Sequence, residues 1–96
     1  MKLEILPSAV EDLADGFWFY EKQGNGLGKY FRESLISEIE GLLTCGGVHR
    51  QVNGWHRVLA RRFPYAVYYS VHGQTVLVRA VLDCRRDPSW TRRKLQ

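Results

Sequence analysis

The sequence predicts a single α+β domain over residues 1–96, because three kinds of pattern follow one another along the chain. A short apolar run, Leu3–Leu6, is interspersed with charged residues and ends at Pro7, which indicates a strand. Two segments with apolar residues at helical spacing follow, separated by a turn at Gly24–Gly26. Three segments typical of strands, rich in valine, tyrosine and other apolar residues, then fill most of residues 55–82. The predicted order is β-α-α-β-β-β: a strand, a helix hairpin, a three-stranded antiparallel sheet and a short basic C-terminal helix or tail.

The two predicted helices have separate start and stop signals. Ser8 and Glu11 have the spacing of a capping box at the start of the first helix. Gly16 weakens that helix by roughly 0.5–1 kcal/mol relative to alanine, and close packing against a neighbour would explain it. The second helix should end at Gly46–Gly47, because glycine tolerates the left-handed backbone of a helix C-terminus. Its apolar stripe is Leu27, Phe31, Leu35, Ile39 and Leu42. The acidic outer faces of both helices are interpreted as solvated.

Strands are predicted for the second half of the chain. Residues 55–63 and 65–72 form two strands with a tight connection at Phe63–Pro64, and His72–Gly73 begins the turn to a third strand, Val76–Leu82. Residues 48–54 are interpreted as a polar connection. Asp87 and Pro88 indicate the N-cap and first position of a short helix around Trp90.

Alternation along these strands divides their side chains between two faces. We expect one face to pack on the helix hairpin; it carries Val58, Ala60, Val67, Tyr69, Val78 and Ala80. The opposite face should be open and basic, with Arg57, Arg61, Tyr68 and Arg79. Cys84 is expected to continue the inward set as a small buried residue.

Charge is distributed unevenly along the chain. Residues 1–48 carry four basic and eight acidic side chains, a net of −4, whereas residues 49–96 carry ten basic and two acidic ones, a net of +8. Such asymmetry suggests contact with nucleic acid or an acidic protein surface, and a basic surface without a partner is the alternative.

Several classes of protein are disfavoured by the sequence. No apolar run approaches the roughly 18 residues of a membrane span, and the start lacks a signal-peptide pattern, so we expect a cytoplasmic protein. Cys45 and Cys84 should then stay reduced. No metal-ligand spacing is present, and no cofactor is expected.

Four segments carry a resemblance to a known family: ILPSAVEDL, WFYEKQGNGLGKYFRESL, RRFPYAVYYSV and VLVRAVLDCRRDPSW. Over nearly the whole chain they resemble the RelE/ParE superfamily, the toxins of bacterial type II toxin–antitoxin systems. The resemblance implies a small cytoplasmic protein held inactive by an antitoxin whose extended or helical tail wraps it. It also implies one of two activities: RelE-like members cleave messenger RNA in the ribosomal A site, and ParE-like members poison DNA gyrase without being nucleases.

The nuclease pattern of this family is incomplete here. Arg57 and Arg85 match basic positions of the RelE-type site, but Leu59 and Ala66 stand where further basic residues would be. Trp90 and Thr91 occupy the region of the C-terminal tyrosine. A guanidinium stabilises charge but rarely transfers a proton. His56 and His49 could act as acid or base, with a structural histidine as the alternative. The nuclease candidates are therefore Arg57, Arg85 and His56, with no catalytic residue assigned.

The missing acid and base groups favour a ParE-like toxin that binds a target such as DNA gyrase. The alternatives are a RelE-like ribosome-dependent mRNA endonuclease and a plain RNA-binding module. Arginines can bind the carboxylates of an acidic partner bidentately, and the antitoxin is the expected partner in a hetero-oligomeric complex. The expected partner-binding residues are Arg57, Arg61, Tyr68, Arg79, Arg85, Arg86 and Trp90.

Overall fold

A computed structural model describes all of residues 1–96 as one mixed sheet with three helices. The elements are β1 (Lys2–Ile5), α1 (Pro7–Glu21), α2 (Leu27–Cys45), β2 (Gln51–Val52), β3 (Trp55–Leu59), β4 (Tyr65–His72), β5 (Thr75–Asp83) and α3 (Pro88–Leu95). The strand order is β1-β5-β4-β3-β2, with β1 parallel to β5 and all other neighbours antiparallel. The α+β class, the helix hairpin and the C-terminal helix are confirmed. The three-stranded antiparallel sheet is wrong, since the sheet is mixed and has five strands. All three helices are too short or too polar to cross a membrane.

The extra strand β2 lies in the segment predicted to be a polar connection. Gln51 pairs with His56 and Val52 with Trp55, so only Asn53 and Gly54 form the loop between β2 and β3. Both loop residues have positive φ, 55° and 84°. A two-residue loop of this kind is a type I′ turn, for which Asn-Gly is a preferred sequence. The Asn-Gly pair is thus the sequence signal that would have predicted this hairpin.

The start of α1 differs from the predicted capping box. The helix begins at Pro7, with Leu6 in the N-cap position and no side chain capping it. Proline suits the first position because the missing N–H has no partner there in any helix. The Ser8 hydroxyl instead donates to the carbonyl oxygen of Arg79 at 2.9 Å. The capping box is therefore wrong, because Ser8 lies inside the helix and serves a contact with β5.

The two long helices form a close hairpin. A Cβ atom added at Gly16 would lie 2.4 Å from Cζ of Phe31, so the predicted close packing at this glycine is confirmed. The carboxylate of Glu21, the last residue of α1, accepts hydrogen bonds from the backbone N–H groups of Gly26 at 3.2 Å and Gly28 at 3.0 Å. It thereby satisfies donors that the start of α2 leaves free. The predicted stripe of α2 is buried at Phe31, Leu35, Ile39 and Leu42.

A β-bulge in β5 changes which side chains face the helices. The β4–β5 ladder pairs Tyr68 with Ala80 and Tyr69 with Val78, and so leaves Arg79 without a partner. The extra residue shifts the alternation of β5 by one position. As a result Val81 faces the helices, and Ala80 faces away from them. The prediction for Ala80 is wrong, whereas the other predicted residues lie on the helix side: Val58, Ala60, Val67, Tyr69 and Val78.

The opposite face of the sheet is largely covered by α3. A second buried cluster there consists of Ala66, Tyr68, Ala80, Leu82 and Leu95, with Trp55 and Trp90 packed against it. As predicted, the Asp87 carboxylate caps α3 by accepting the Ser89 N–H at 2.8 Å, and Pro88 is its first residue. The expectation of an open basic face is therefore wrong over much of its area, and Tyr68 is only 4% exposed.

One acidic residue of α1 is buried, contrary to the prediction of a solvated acidic face. β1 ends at Ile5, opposite Val78, so β5 has no strand partner on that side beyond this point. The Asp12 carboxylate accepts the N–H of Val81 at 3.0 Å and lies 3.5 Å from Nζ of Lys94 on α3. Burial raises the pKa of Asp12, and the Val81 N–H and the Lys94 ammonium oppose that rise. Asp12 thus joins α1, β5 and α3.

Candidate functional site

Three of the predicted partner-binding arginines have partners within the chain. The Arg85 guanidinium donates to both oxygens of the Asp83 carboxylate, at 3.0 and 2.9 Å. Although burial acts in the opposite direction, this pairing lowers the pKa of Asp83. Arg79 donates to Ser8 Oγ at 3.0 Å and to the carbonyl oxygen of Lys94 at 2.9 Å. In Arg61, Nε lies 3.5 Å from the Glu38 carboxylate, although the arginine side chain is 86% exposed.

Three other arginines line one cavity of about 230 Å³, and we call it the arginine pocket. Arg57 reaches it from β3, Arg86 from the loop after β5, and Arg92 from α3. No carboxylate is among the lining residues. The remaining lining residues are Val52, Asn53, Tyr68, Cys84, Pro88 and Thr91. The structure therefore brings together Arg57, Tyr68 and Arg86 of the predicted partner-binding set.

Arg57 is the most enclosed of the three arginines. Its Nε is buried without a hydrogen-bond partner, and its Nη2 lies 3.8 Å from the Cys84 sulfur. Burial raises the pKa of Tyr68, and the neighbouring Arg57 charge opposes that rise. Cys84 is exposed, so the prediction of a buried cysteine is wrong: β5 ends at Asp83, and the chain then turns away. A buried donor without an acceptor is rare, and it requires an explanation.

The two outer arginines of the pocket are held by α3. The Arg86 guanidinium lies 4.2 Å over the Trp90 ring, a cation–π contact that leaves its N–H edges free. Arg92 was not among the predicted site residues. The signal that could have found it is helical spacing, because Pro88, Thr91 and Arg92 at positions i, i+3 and i+4 share one side of α3 and all line the pocket.

The three nuclease candidates do not converge. His56 stacks on Tyr69 with ring centroids 5.1 Å apart, and its Nδ1–H donates to the His49 carbonyl at 2.6 Å. The Tyr69 hydroxyl bonds to Nδ1 of His49 and belongs to the core beneath the helices. Arg57 instead points to the α3 side, and Arg85 is paired with Asp83. The histidines thus form a packed network apart from the arginine pocket.

A groove lined almost entirely by apolar side chains lies on α1, away from the arginine pocket. It has a volume of about 510 Å³ and is lined by Ile5, Val10, Leu13, Ala14, Phe17, Trp18, Arg32 and Ile36. Val10 and Trp18 are 52% and 60% exposed, which is high for apolar side chains that share one surface. Arg32 is its only charged residue and lies 4.9 Å over the Phe17 ring. The sequence signal for this groove is the excess of apolar residues on α1 beyond the stripe that contacts the core.

The apolar groove borders an open sheet edge. β1 is the outermost strand on this side of the sheet. The Lys2 N–H donates to the carbonyl oxygen of Gln74, just before β5, at 2.6 Å, and the Leu6 N–H, just after β1, donates to that of Val78 at 3.0 Å. Because alternate N–H groups of a strand point to opposite sides, those of Leu3 and Ile5 point away from the sheet. Ile5 also lines the groove. A partner in the groove could therefore also bond to this backbone edge.

These features define an α+β domain with a helix hairpin on a mixed sheet, an apolar groove at one edge and an arginine pocket beneath α3. The same fold is present in a solved structure described as the chromosomal ParDE TA system from P. aeruginosa. The match has a TM-score of 0.74 at 19% identity and covers 84% of this chain and 92% of that chain. It confirms the fold implied by the RelE/ParE resemblance. No protein-family model matches the sequence, and no curated protein matches it.

Proposed function

We propose that this chain is the toxin of a type II toxin–antitoxin system of the plasmid-stabilisation type, ParE-like and neutralised by a cognate antitoxin. The observation that carries the proposal is the shared fold with a chain of a ParDE TA system over most of both chains. The sequence resemblance to the RelE/ParE superfamily supports it independently of that comparison.

The apolar groove is the proposed site for the antitoxin. Its exposed side chains, Val10 and Trp18, would be buried by an amphipathic segment of the antitoxin. Arg32 has no carboxylate partner in the chain and would pair with an acidic side chain of that segment. This moves the main contact away from the predicted basic face. Of the residues proposed there, Tyr68 is buried, and Arg61, Arg79 and Arg85 are bonded within the chain. Arg57, Arg86 and Trp90 remain secondary candidates.

The proposed toxic action is non-enzymatic binding of a cytoplasmic target such as DNA gyrase. The separation of Arg57, Arg85 and His56 supports it, because RNA cleavage needs an acid and a base at the same phosphate. The RelE-like alternative would need these groups to move together.

Inducible expression tests the proposal. We expect growth arrest that is relieved by co-expressing the neighbouring open reading frame, together with loss of gyrase supercoiling in extracts. Primer extension on cellular messages should show no codon-positioned cuts. Such cuts would establish the nuclease alternative. Normal growth, together with the absence of a tightly bound partner on purification, would refute the toxin proposal.

A further inference from the structure

We infer that a cavity between α1, the edge of β5 and α3 binds a small zwitterion, namely an α-amino acid with an apolar side chain. We call it the edge cavity; α1 contributes Asp15 and Phe19 to its lining, β5 contributes Val81–Asp83, and α3 contributes Trp90. Its volume of about 420 Å³ lies within the roughly 300–1,000 Å³ of small-molecule sites. The edge cavity shares no residue with the apolar groove and only Arg86 with the arginine pocket. A ligand here is therefore independent of the proposed antitoxin contact.

Most charged groups around the edge cavity are already paired with one another. The internal pairs are Arg85–Asp83 and Lys94–Asp12. Two further charged side chains line the cavity, Asp15 and Arg86, and neither has an oppositely charged partner in the chain. One unpaired acid and one unpaired base complement a ligand that carries one charge of each sign. A phosphate group is a poor match, because the Asp15 carboxylate would repel it.

Tyr65 supplies a polar group that has no partner within the protein. The residue is only 7% exposed, and its ring packs on Phe31 with centroids 4.8 Å apart. Its hydroxyl makes no hydrogen bond in the chain. The only enclosed polar side-chain atom without a partner is Arg57 Nε, so the Tyr65 hydroxyl is open to the cavity that it lines. A buried residue with a free hydroxyl facing a cavity is the arrangement expected of a ligand-binding group.

The surroundings of the Tyr65 hydroxyl favour a cationic group beside it. Burial, together with the negative charges of Asp83 and Asp15, raises the pKa of Tyr65 to about 12 and outweighs the opposing charge of Arg85. The phenol therefore stays neutral at physiological pH, and its oxygen can accept a hydrogen bond. An ammonium group would donate to this oxygen and to the unpaired Asp15 carboxylate.

Arg86 is the group that would bind the carboxylate of the ligand. Its guanidinium lies 4.2 Å over the Trp90 ring, and the stacking leaves its N–H edges free to donate. A guanidinium fork matches a planar carboxylate in a bidentate arrangement. The two charged ends of an amino acid would thus be bound by Asp15 with Tyr65 and by Arg86.

The apolar part of the lining accounts for the side chain of the ligand. Val81 and Leu82 lie on opposite faces of β5 and both line the edge cavity, so the cavity wraps around the strand edge. Phe19 lines it as well and is 47% exposed. These side chains would be buried by an aliphatic or aromatic group.

Calorimetric titration of the full chain with L-leucine and with L-phenylalanine tests the proposed ligand class. Two compounds serve as matched probes for the charged ends of leucine. 3-Methylbutylamine lacks the carboxylate, and 4-methylpentanoate lacks the amino group. We expect each to bind at least about 10-fold more weakly than leucine, because each loses one charge-assisted contact.

Three substitutions test the groups assigned to the site. Asp15→Asn and Arg86→Gln should each weaken amino-acid binding by about 10-fold or more, and Tyr65→Phe by about 3-fold or more. Tyr65→Phe should not reduce stability, since the hydroxyl has no partner in the free chain. Glu11→Gln and Arg62→Gln are the charge-matched controls. Both side chains are exposed outside the edge cavity, so these variants should bind like the wild type.

Each outcome supports the amino-acid site or overturns it. Binding of leucine or phenylalanine that weakens in the cavity variants but not in the two controls supports it. If neither amino acid binds at millimolar concentration, the edge cavity is not such a site. If the amine or the acid alone binds as tightly as leucine, the cavity recognises a single charge rather than a zwitterion. Equal effects of the control and cavity variants would place the binding elsewhere.

Discussion

Ser8 and Arg79 form a reciprocal pair of hydrogen bonds that joins the first turn of α1 to the bulge of β5. The Ser8 hydroxyl donates to the Arg79 carbonyl oxygen at 2.9 Å, and an Arg79 terminal nitrogen donates back to the Ser8 oxygen at 3.0 Å. The other terminal nitrogen of Arg79 reaches the carbonyl oxygens of Lys94 and Gln96, at 2.9 and 3.3 Å. The Arg79 side chain, which lies at the bulge, thus connects the start of α1 to the C-terminal end of α3.

Replacing Arg79 by glutamine should destabilise the fold. The variant loses the donors to Ser8, Lys94 and Gln96, and hydrogen bonds from a charged group contribute about 1.5–3 kcal/mol each when well buried. Since the contacts at the C-terminus are exposed, we expect a total loss of about 1–3 kcal/mol in urea unfolding. Arg62→Gln is the control and should change the free energy of unfolding by less than about 0.5 kcal/mol. Equal effects of the two variants would contradict this role.

Replacing each of two helix glycines by alanine should change the stability of the fold in opposite directions. At Gly16 the new methyl group would lie 2.4 Å from Phe31 Cζ, so Gly16→Ala should destabilise by about 1–3 kcal/mol despite the higher helix propensity of alanine. At Gly41 no heavy atom lies within 4 Å of the added Cβ, so Gly41→Ala should stabilise by about 0.5–1 kcal/mol. Thermal unfolding of the pair measures the difference, and a stabilised Gly16→Ala variant would show that the helices are less closely packed.

Asp12 should give stability a particular pH dependence. Its folded pKa is raised by burial, so its favourable contribution is complete below its unfolded pKa of about 3.9 and is lost as the pH rises through the folded pKa. The stability of the wild type relative to Asp12→Asn should therefore fall as the pH increases above about 4. Urea unfolding of both proteins across this range is the measurement.

Asp83 should give stability the opposite pH dependence to Asp12, so the two residues can be compared in the same protein. Its pKa is lowered despite burial, because the Arg85 guanidinium and backbone N–H bind the carboxylate. Its contribution is present above the unfolded pKa of about 3.9 and is lost as the pH falls through the folded value. The wild type should therefore lose stability relative to Asp83→Asn on acidification. Slopes of the same sign for the two aspartates would contradict these assignments.

If the proposed antitoxin binds in the apolar groove, truncating Trp18 should weaken that complex without unfolding the chain. The side chain is 60% exposed in the free chain and lines the apolar groove, where a buried tryptophan anchor contributes about 2 kcal/mol or more to binding. We expect Trp18→Ala to raise the Kd for the antitoxin at least about 30-fold. Tyr30→Ala is the control, because Tyr30 is 47% exposed on α2 and does not line the groove. A larger effect of Tyr30→Ala would place the antitoxin elsewhere.

The sequence predicted helices and turns better than it predicted which side chains would be buried when these elements pack together. The helix hairpin, the Asp87–Pro88 start of α3 and the turn near Gly73 depend on local signals, and the structure contains all three. The buried state of Asp12 depends on the backbone of β5, which lies 69 residues away along the chain. No local pattern distinguishes it from the solvated acids beside it.

The candidate site shows the same division. Alternation placed Arg57 and Tyr68 on one face of the sheet, and the structure places both in the arginine pocket. It could not predict that α3 would cover that face or that Arg92 would complete the pocket, because both depend on how the C-terminal helix docks. The bulge was hidden too, since residues 76–82 are apolar except for Arg79 and contain no signal for an extra residue.

Because of the bulge, β5 should tolerate the deletion of Arg79 better than a deletion at most other positions in the strand. Losing this one residue would leave Ala80 and Val81 facing the sides they face now, because the extra residue is the one removed. A deletion far from the bulge would shift the alternation of the residues between the two points, so that side chains now packed on the helix hairpin would face the α3 side of the sheet. Natural relatives with a β5 one residue shorter should therefore lack the residue equivalent to Arg79, and should anchor their termini by other means.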